Sequence, residues 1–232
     1  MVTPETTTGL RPKENFTMKY NIQSNIDTEI VHDFVNEGDV FCDIGANEGL
    51  YTQLINRKHK GKVEIHSFEP HPEQYSQLLS SSRKNINTKC YNVAVSNFVG
   101  KTKLWYEPND PVNKFGASTI MSELAVSRRL GDSMEYLEVD TVTIDSLELA
   151  PNFIKIDAEG AETDILTGAS DTIQKNKPII TIEYGTGGPE NFHPKSVNIL
   201  REYGYNFLWN IEQGCQFRDD VEYCNILAIY EN

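Results

Sequence analysis

The chain has 232 residues, 38% hydrophobic and 24% charged, which suits one folded domain able to bury a substantial core. Its formal net charge of -13 means that a nucleic-acid backbone or an anionic membrane surface would meet mostly repulsion, so a small or neutral substrate is the easier partner. Its apolar runs fall short of the roughly 20 residues of a membrane span, and the N-terminus lacks the charged-then-apolar pattern of a signal peptide, so a cytoplasmic protein is expected.

Residues 1–25 are polar, carry Pro and Gly without periodicity, and read as a flexible N-terminal arm before a single domain over 26–232. From Ile26 the apolar spacing Ile26, Ile30, Val31, Phe34, Val35 predicts an amphipathic helix stopped by Gly38. Strands and helices then alternate. "DVFCDIG" and "VEIHSFEP" read as strands, the segment from Pro72 to Ile86 as a helix, and "KCYNVAVS" as a third strand. "FIKIDAEG" and "PIITIEYG" read as the fourth and fifth, with a helix between them burying Ile165, Leu166, Ala169 and Ile173. The basic run "NRKHKGK" from Asn56 reads as a helix end and turn.

Such alternation implies parallel pairing through right-handed crossovers, hence an open α/β sheet with helices on both faces. At the C-terminus a helix around Ser196 to Tyr203 is followed by "YNFLW" and "YCNILAIY", an antiparallel hairpin at a sheet edge. An insertion at about 105–140 interrupts the rhythm. Its position suits a cover over substrate, since ligands of open α/β sheets bind beyond the carboxyl ends of the strands. The four cysteines lack metal-type spacing and read as reduced, mostly buried thiols.

The loop after the first strand reads Gly45-Ala46-Asn47-Glu48-Gly49. Dinucleotide folds place G-x-G-x-x-G there to admit a pyrophosphate. Here Asn47 replaces the middle glycine, Glu48 adds an acid and Asp43 precedes the turn, which favours a ligand that is cationic or carries an ammonium group. Glu69 follows the second strand, near the offset at which an acid accepts from ribose hydroxyls. A ribose-bearing, phosphate-free, cationic ligand is S-adenosylmethionine.

"FCDIGANEGLYT", "SFEPHPEQYSQL", "NVAVSNFVG", "FIKIDAEGAETDILTGA" and "PIITIEY" together resemble the successive motifs of the FkbM-like family of class I S-adenosylmethionine-dependent methyltransferases. The resemblance implies a Rossmann-like sheet of seven strands in the order 3-2-1-4-5-7-6, strand seven antiparallel. It also implies that Asp43, Gly45, Ala46, Asn47 and Gly49 hold the amino-acid end of the cofactor, with Tyr51 and Thr52 beside its carboxylate. Glu69, followed by Pro70, would take the ribose, and Val93 and Ala94 would line the adenine pocket.

At the fourth and fifth strand ends, Asp157, Glu159 and Glu183 are the candidate catalytic acids, with Asp157 also beside the cofactor. Crowded carboxylates raise one another's pKa and keep one available as a base near neutrality. Glu162 reads as a solvated first-turn acid, His71 as a cap or rim residue, and His193 as a candidate base on the substrate side. Mg²⁺ at Asp157 and Glu183 is considered but not favoured, because two carboxylates are a thin ligand set. The leading expectation is O-methylation of a hydroxyl on a sugar, glycan precursor or small natural product, yielding S-adenosylhomocysteine. The alternatives are a catalytically idle cofactor-binding module and an NAD-dependent oxidoreductase, the latter disfavoured by Asn47.

Overall fold

The computed structural model describes residues 26–83, 85–108, 118–121, 134–185 and 194–231. The expectations for the arm, for most of the insertion and for His193 lie outside these residues. Strands β1 (Val40–Ile44), β2 (Glu64–Phe68), β3 (Thr88–Tyr91), β7 (Phe153–Ile156) and β8 (Ile179–Gly185) pair in parallel, and β9 (Phe207–Asn210) and β11 (Tyr223–Ile229) extend the sheet antiparallel. With β10 (Cys215–Gln216) at one end, the order β10-β9-β11-β8-β7-β1-β2-β3 contains the seven expected positions in the expected sequence.

Two corrections concern strands. An eighth strand, β10 (Cys215–Gln216), pairs antiparallel with β9 inside what was read as the hairpin loop. The third strand does not run on through "NVAVS" but divides. Thr88–Tyr91 stays in the large sheet, while β4 (Ala94–Val95) leaves it to pair with β6 (Glu135–Val142). With β5 (Gly100–Tyr106), these form a separate three-stranded sheet in the order β4-β6-β5. Asn92 ties the departing chain down by donating from its side-chain amide to the carbonyls of Glu69 and Pro70, 2.9 Å each.

Strand residues alternate between two apolar layers, as the pleat requires. Phe41, Ile65, Phe153 and Leu227 meet Ile30, Val31 and Phe34 of α1 (Ile26–Phe34) and Ile55 of α2 (Leu50–His59) on one face. Cys42, Ile154, Ile180 and Ile226 meet α4 (Glu162–Thr167), α5 (Ser170–Asn176) and α6 (Pro194–Glu202) on the other. The helix expected between the fourth and fifth strands is therefore two helices. A side chain at Gly168 would meet the Ser96 carbonyl at 2.1 Å, so the backbone approaches this closely only at a glycine, and the chain steps there between α4 and α5.

Helix α3 (Pro72–Ser82) starts as its sequence directs: Pro72 holds the first position and His71 Nδ1 accepts from the Glu73 backbone N–H at 3.3 Å. It ends earlier than its apolar spacing predicts, because the chain must turn through Asn85 to enter β3, leaving Ile86 93% exposed. The basic run from Asn56 is a helix end: Arg57, Lys58 and His59 close α2 and Lys60 caps it in the left-handed conformation. Cys42 and Cys224 are buried, Cys90 and Cys215 half-buried, and all four are unpaired. Among the described residues, no helix is long and apolar enough to cross a membrane.

Candidate active site

Register places four polar side chains in one row on the α2 face of the sheet. Ser67 lies beside Asp43, Asp43 beside Lys155, and Lys155 beside Thr181. Asp43 is fully buried, and Thr52 on α2 donates to its Oδ2 at 2.8 Å while sharing a 2.6 Å hydrogen bond with Ser67. Lys155 Nζ lies 3.6 Å from Asp43 Oδ1 and 3.4 Å from Asp157 Oδ2, and donates to the Gly45 carbonyl at 2.8 Å. Burial works against this ammonium, but Asp157 and Asp43 outweigh it and hold its pKa above the ordinary lysine value. The Tyr51 ring lies 5.1 Å from it.

This ammonium fixes the first loop from below. Gly45 (φ 73°), Asn47 (φ 50°) and Gly49 (φ 89°) are left-handed, and a side chain on Gly45 would strike the Asp157 carbonyl at 1.8 Å. Glycine at 45 is thus what allows the first loop to lie on the loop after β7.

Above these loops opens a cleft of about 540 Å³. Of the residues expected to hold a cofactor, Gly45, Ala46, Asn47, Tyr51, Glu69, Pro70, Val93, Ala94 and Asp157 line it. Asp43, Gly49 and Thr52 do not; Asp43 and Thr52 lie beneath it, supporting the turn. From the insertion, Ser118 and Ile120 reach the cleft. Glu69 accepts from the backbone N–H groups of Asn47 (2.9 Å) and His71 (2.8 Å). Burial pushes its carboxyl up to about 7, against the pull of those two donors.

A smaller cavity of about 50 Å³ shares Tyr51, Lys155 and Asp157 with the cleft and is closed by Thr181, Glu183, Tyr223 and Asn225. Between this cavity and the cleft, which Glu159 lines, the candidate acids converge: Asp157, Glu159 and Glu183 each offer a carboxylate oxygen within 4.8 Å of the others. Tyr223 donates to Glu183 at 2.6 Å, and burial, followed by the charge of Asp157, pushes Glu183 up to about 7. Glu159 is held at φ 54°, a turn conformation uncommon for a residue with a side chain.

Glu162 corrects the sequence reading. It is 2% exposed, and its Oε1 accepts from the N–H groups of Ala158 (3.0 Å) and Gly160 (3.2 Å), tying the turn after β7 to the start of α4. Burial pushes it up to about 7. Lys155 lies outside the set of site residues expected from the sequence. The signal was a lysine inside "FIKID", a strand otherwise too apolar to face water.

The family profile described as "Methyltransferase FkbM domain" matches residues 43–207, from the buried aspartate of β1 to the start of β9. The chain belongs to the FkbM methyltransferase family. Its FkbM relatives include the hexuronic acid methyltransferase AglP of Haloferax volcanii, 26% identical over 151 residues, covering 64% of this chain and 58% of that protein. The 31-O-demethyl-FK506 methyltransferase FkbM of Streptomyces tacrolimicus is 25% identical over 158 residues, covering 58% and 60%. The chain thus spans about three-fifths of the length of these two relatives. Among solved structures, a methyltransferase FkbM from Methylobacillus flagellatus KT aligns with TM-score 0.52 at 18% identity, covering 84% of this chain and 44% of that one, a likeness of fold.

Proposed function

We propose that this chain binds S-adenosylmethionine in the large cleft and methylates a hydroxyl oxygen of a sugar, glycan precursor or other small molecule, leaving S-adenosylhomocysteine. The observation that carries the reading is Glu69, a buried acid fixed by two backbone donors on the cleft wall between the Gly45–Gly49 turn and Val93–Ala94. Membership of the FkbM family supports it, and the names of two relatives, a hexuronic acid methyltransferase and a 31-O-demethyl-FK506 methyltransferase, point toward carbohydrate or small-molecule acceptors.

The residues fit such a ligand. Glu69 presents an acceptor suited to ribose hydroxyls, Val93, Ala94 and Leu104 give an apolar wall for an adenine, and the acids lining the cleft suit a cationic head. When bound, the ligand supplies a methyl group already activated on a sulfonium, so the protein's work is to orient the acceptor and take up its proton. Gly45, Ala46 and Asn47 hold the amino-acid end, and Asp43 acts from beneath by fixing Thr52 and Lys155. Glu183, poised near neutrality and steadied by Tyr223, takes the proton from the acceptor hydroxyl as the new C–O bond forms. Asp157 stands between the two cavities and sets the acceptor against the methyl group.

Calorimetric titration with S-adenosylhomocysteine tests the binding step. The wild type is expected to bind saturably, and Glu69→Ala, which removes a wall residue, to bind at least ~10-fold more weakly, the cost of two lost hydrogen bonds to a charged group. Absence of binding by the folded wild type would overturn the reading.

A further inference from the structure

We infer that the Asp157, Glu159 and Glu183 carboxylates, with the hydroxyl of Thr181 behind them, form a site for a hard divalent cation of the Mg²⁺ class. Two acids from sequence alone are a thin ligand set, but the fold supplies a third, and a buried hydroxyl lines the cavity beside them. Glu159 is brought in by the turn after β7, and the three carboxylate oxygens lie within 4.8 Å of one another. Oxygens bound to one cation at about 2.0–2.6 Å are separated by at most about 4–5 Å, so the arrangement is close to a ligating one without rearrangement.

Thr181 is the independent observation. It is 5% exposed, its Oγ1 has no hydrogen-bond partner among the described residues, and it lines the same small cavity as Asp157 and Glu183. It shares a strand face with Glu183 two residues on, so both side chains project from the same side of β8. A buried hydroxyl without a partner has an unmet demand that a cation, or a water on that cation, satisfies.

The neighbouring positive charge does not fill the role. Lys155 is committed to Asp43, to the Gly45 carbonyl and to Oδ2 of Asp157. Tyr223 occupies Oε1 of Glu183 and Lys155 lies against Oδ2 of Asp157, so each of these carboxylates keeps a second oxygen. The donor set is all oxygen, with neither thiolate nor imidazole among the three ligands, which selects Mg²⁺, Mn²⁺ or Ca²⁺ over Zn²⁺. The site lies at the junction of the two cavities, so a cation there would favour an acceptor carrying two adjacent oxygens that complete its coordination; with the cation bound, Glu183 would serve as its ligand and the cation, in place of Glu183 as base, would acidify the acceptor hydroxyl.

The test uses the full chain freed of metal by chelation and titrated with MnCl₂, followed by calorimetry and by the loss of the free Mn²⁺ electron paramagnetic resonance signal. One saturable site per chain is expected, weakened at least ~10-fold by Glu183→Gln and by Glu159→Gln, and several-fold by Thr181→Val. Glu138→Gln, on the small sheet, is expected to leave it unchanged. No saturable Mn²⁺ binding by the wild type, or binding that survives both glutamine substitutions in folded protein, overturns the inference. S-adenosylhomocysteine titrated into the same samples keeps the two ideas separate: its binding without Mn²⁺ binding rejects the cation site alone, and the converse rejects the proposed cofactor.

Discussion

Glu69 and Lys155 are opposite cases at the scale of single residues. The place of Glu69 on the cleft wall was legible because its signal is local: an acid at the end of a strand, followed by Pro70, at the right distance from a glycine turn. Lys155 was not, because its meaning lies in Asp43, on a neighbouring strand 112 positions earlier, and in a carbonyl of the first loop. Only strand order brings them together. Glu69 also sets a pH dependence. Its carboxyl sits near 7, and in the proposed complex a ribose hydroxyl would donate to the ionised form, so ligand binding should release a proton below that pH. The affinity for S-adenosylhomocysteine is expected to rise about tenfold between pH 6 and pH 8 and then level off, since one proton is linked to binding. In Glu69→Gln the profile should flatten, and calorimetry in buffers of different ionisation enthalpy would read the proton directly.

At the scale of elements, hydrophobic period identified strands and helices but not where the chain leaves one element for another. "KCYNVAVS" is apolar enough for one long strand, yet the chain leaves the large sheet after Tyr91, where the Asn92 side-chain amide donates hydrogen bonds to the Glu69 and Pro70 carbonyls. Glu162 misled for a related reason. A first-turn acid is ordinarily solvated, but here the preceding turn aims two N–H groups at it. Its effect on stability has a definite sign. The folded pKa, about 7, is above the ordinary glutamate value, so between about pH 4.5 and 7 the folded state binds the extra proton and stability falls as pH rises. Glu162→Gln keeps an acceptor oxygen without the charge, and should reduce the difference in melting temperature between pH 5 and pH 8. Glu162→Ala strands both N–H groups and should cost about 1–3 kcal/mol at either pH, readable by urea denaturation.

At the scale of the whole molecule, the cleft is lined by the loops after β1, β2, β3 and β7, so the proposed ligand would touch them all and its binding should stabilise the domain rather than one loop. At a hundredfold excess over its dissociation constant it would contribute about 2.7 kcal/mol, raising the melting temperature by about 5–10 °C for a chain of this length. NADH should give no shift, and fluorimetric melting curves would show the contrast. Strand order was legible at this scale because helix-linked parallel strands admit few arrangements, whereas the short pairing of Cys215 and Gln216 carries no periodic signal. That small strand changes how the molecule meets its neighbours. β9 would otherwise present a free row of backbone donors and acceptors, a template on which another chain can add. With β10 in place the sheet terminates at one side in two residues, and at the other in the four of β3 beside the Lys89–Glu64 ion pair. Blunt rims of this kind disfavour strand-by-strand addition to the large sheet, so copies of the chain that associate would meet through surfaces other than its two edges.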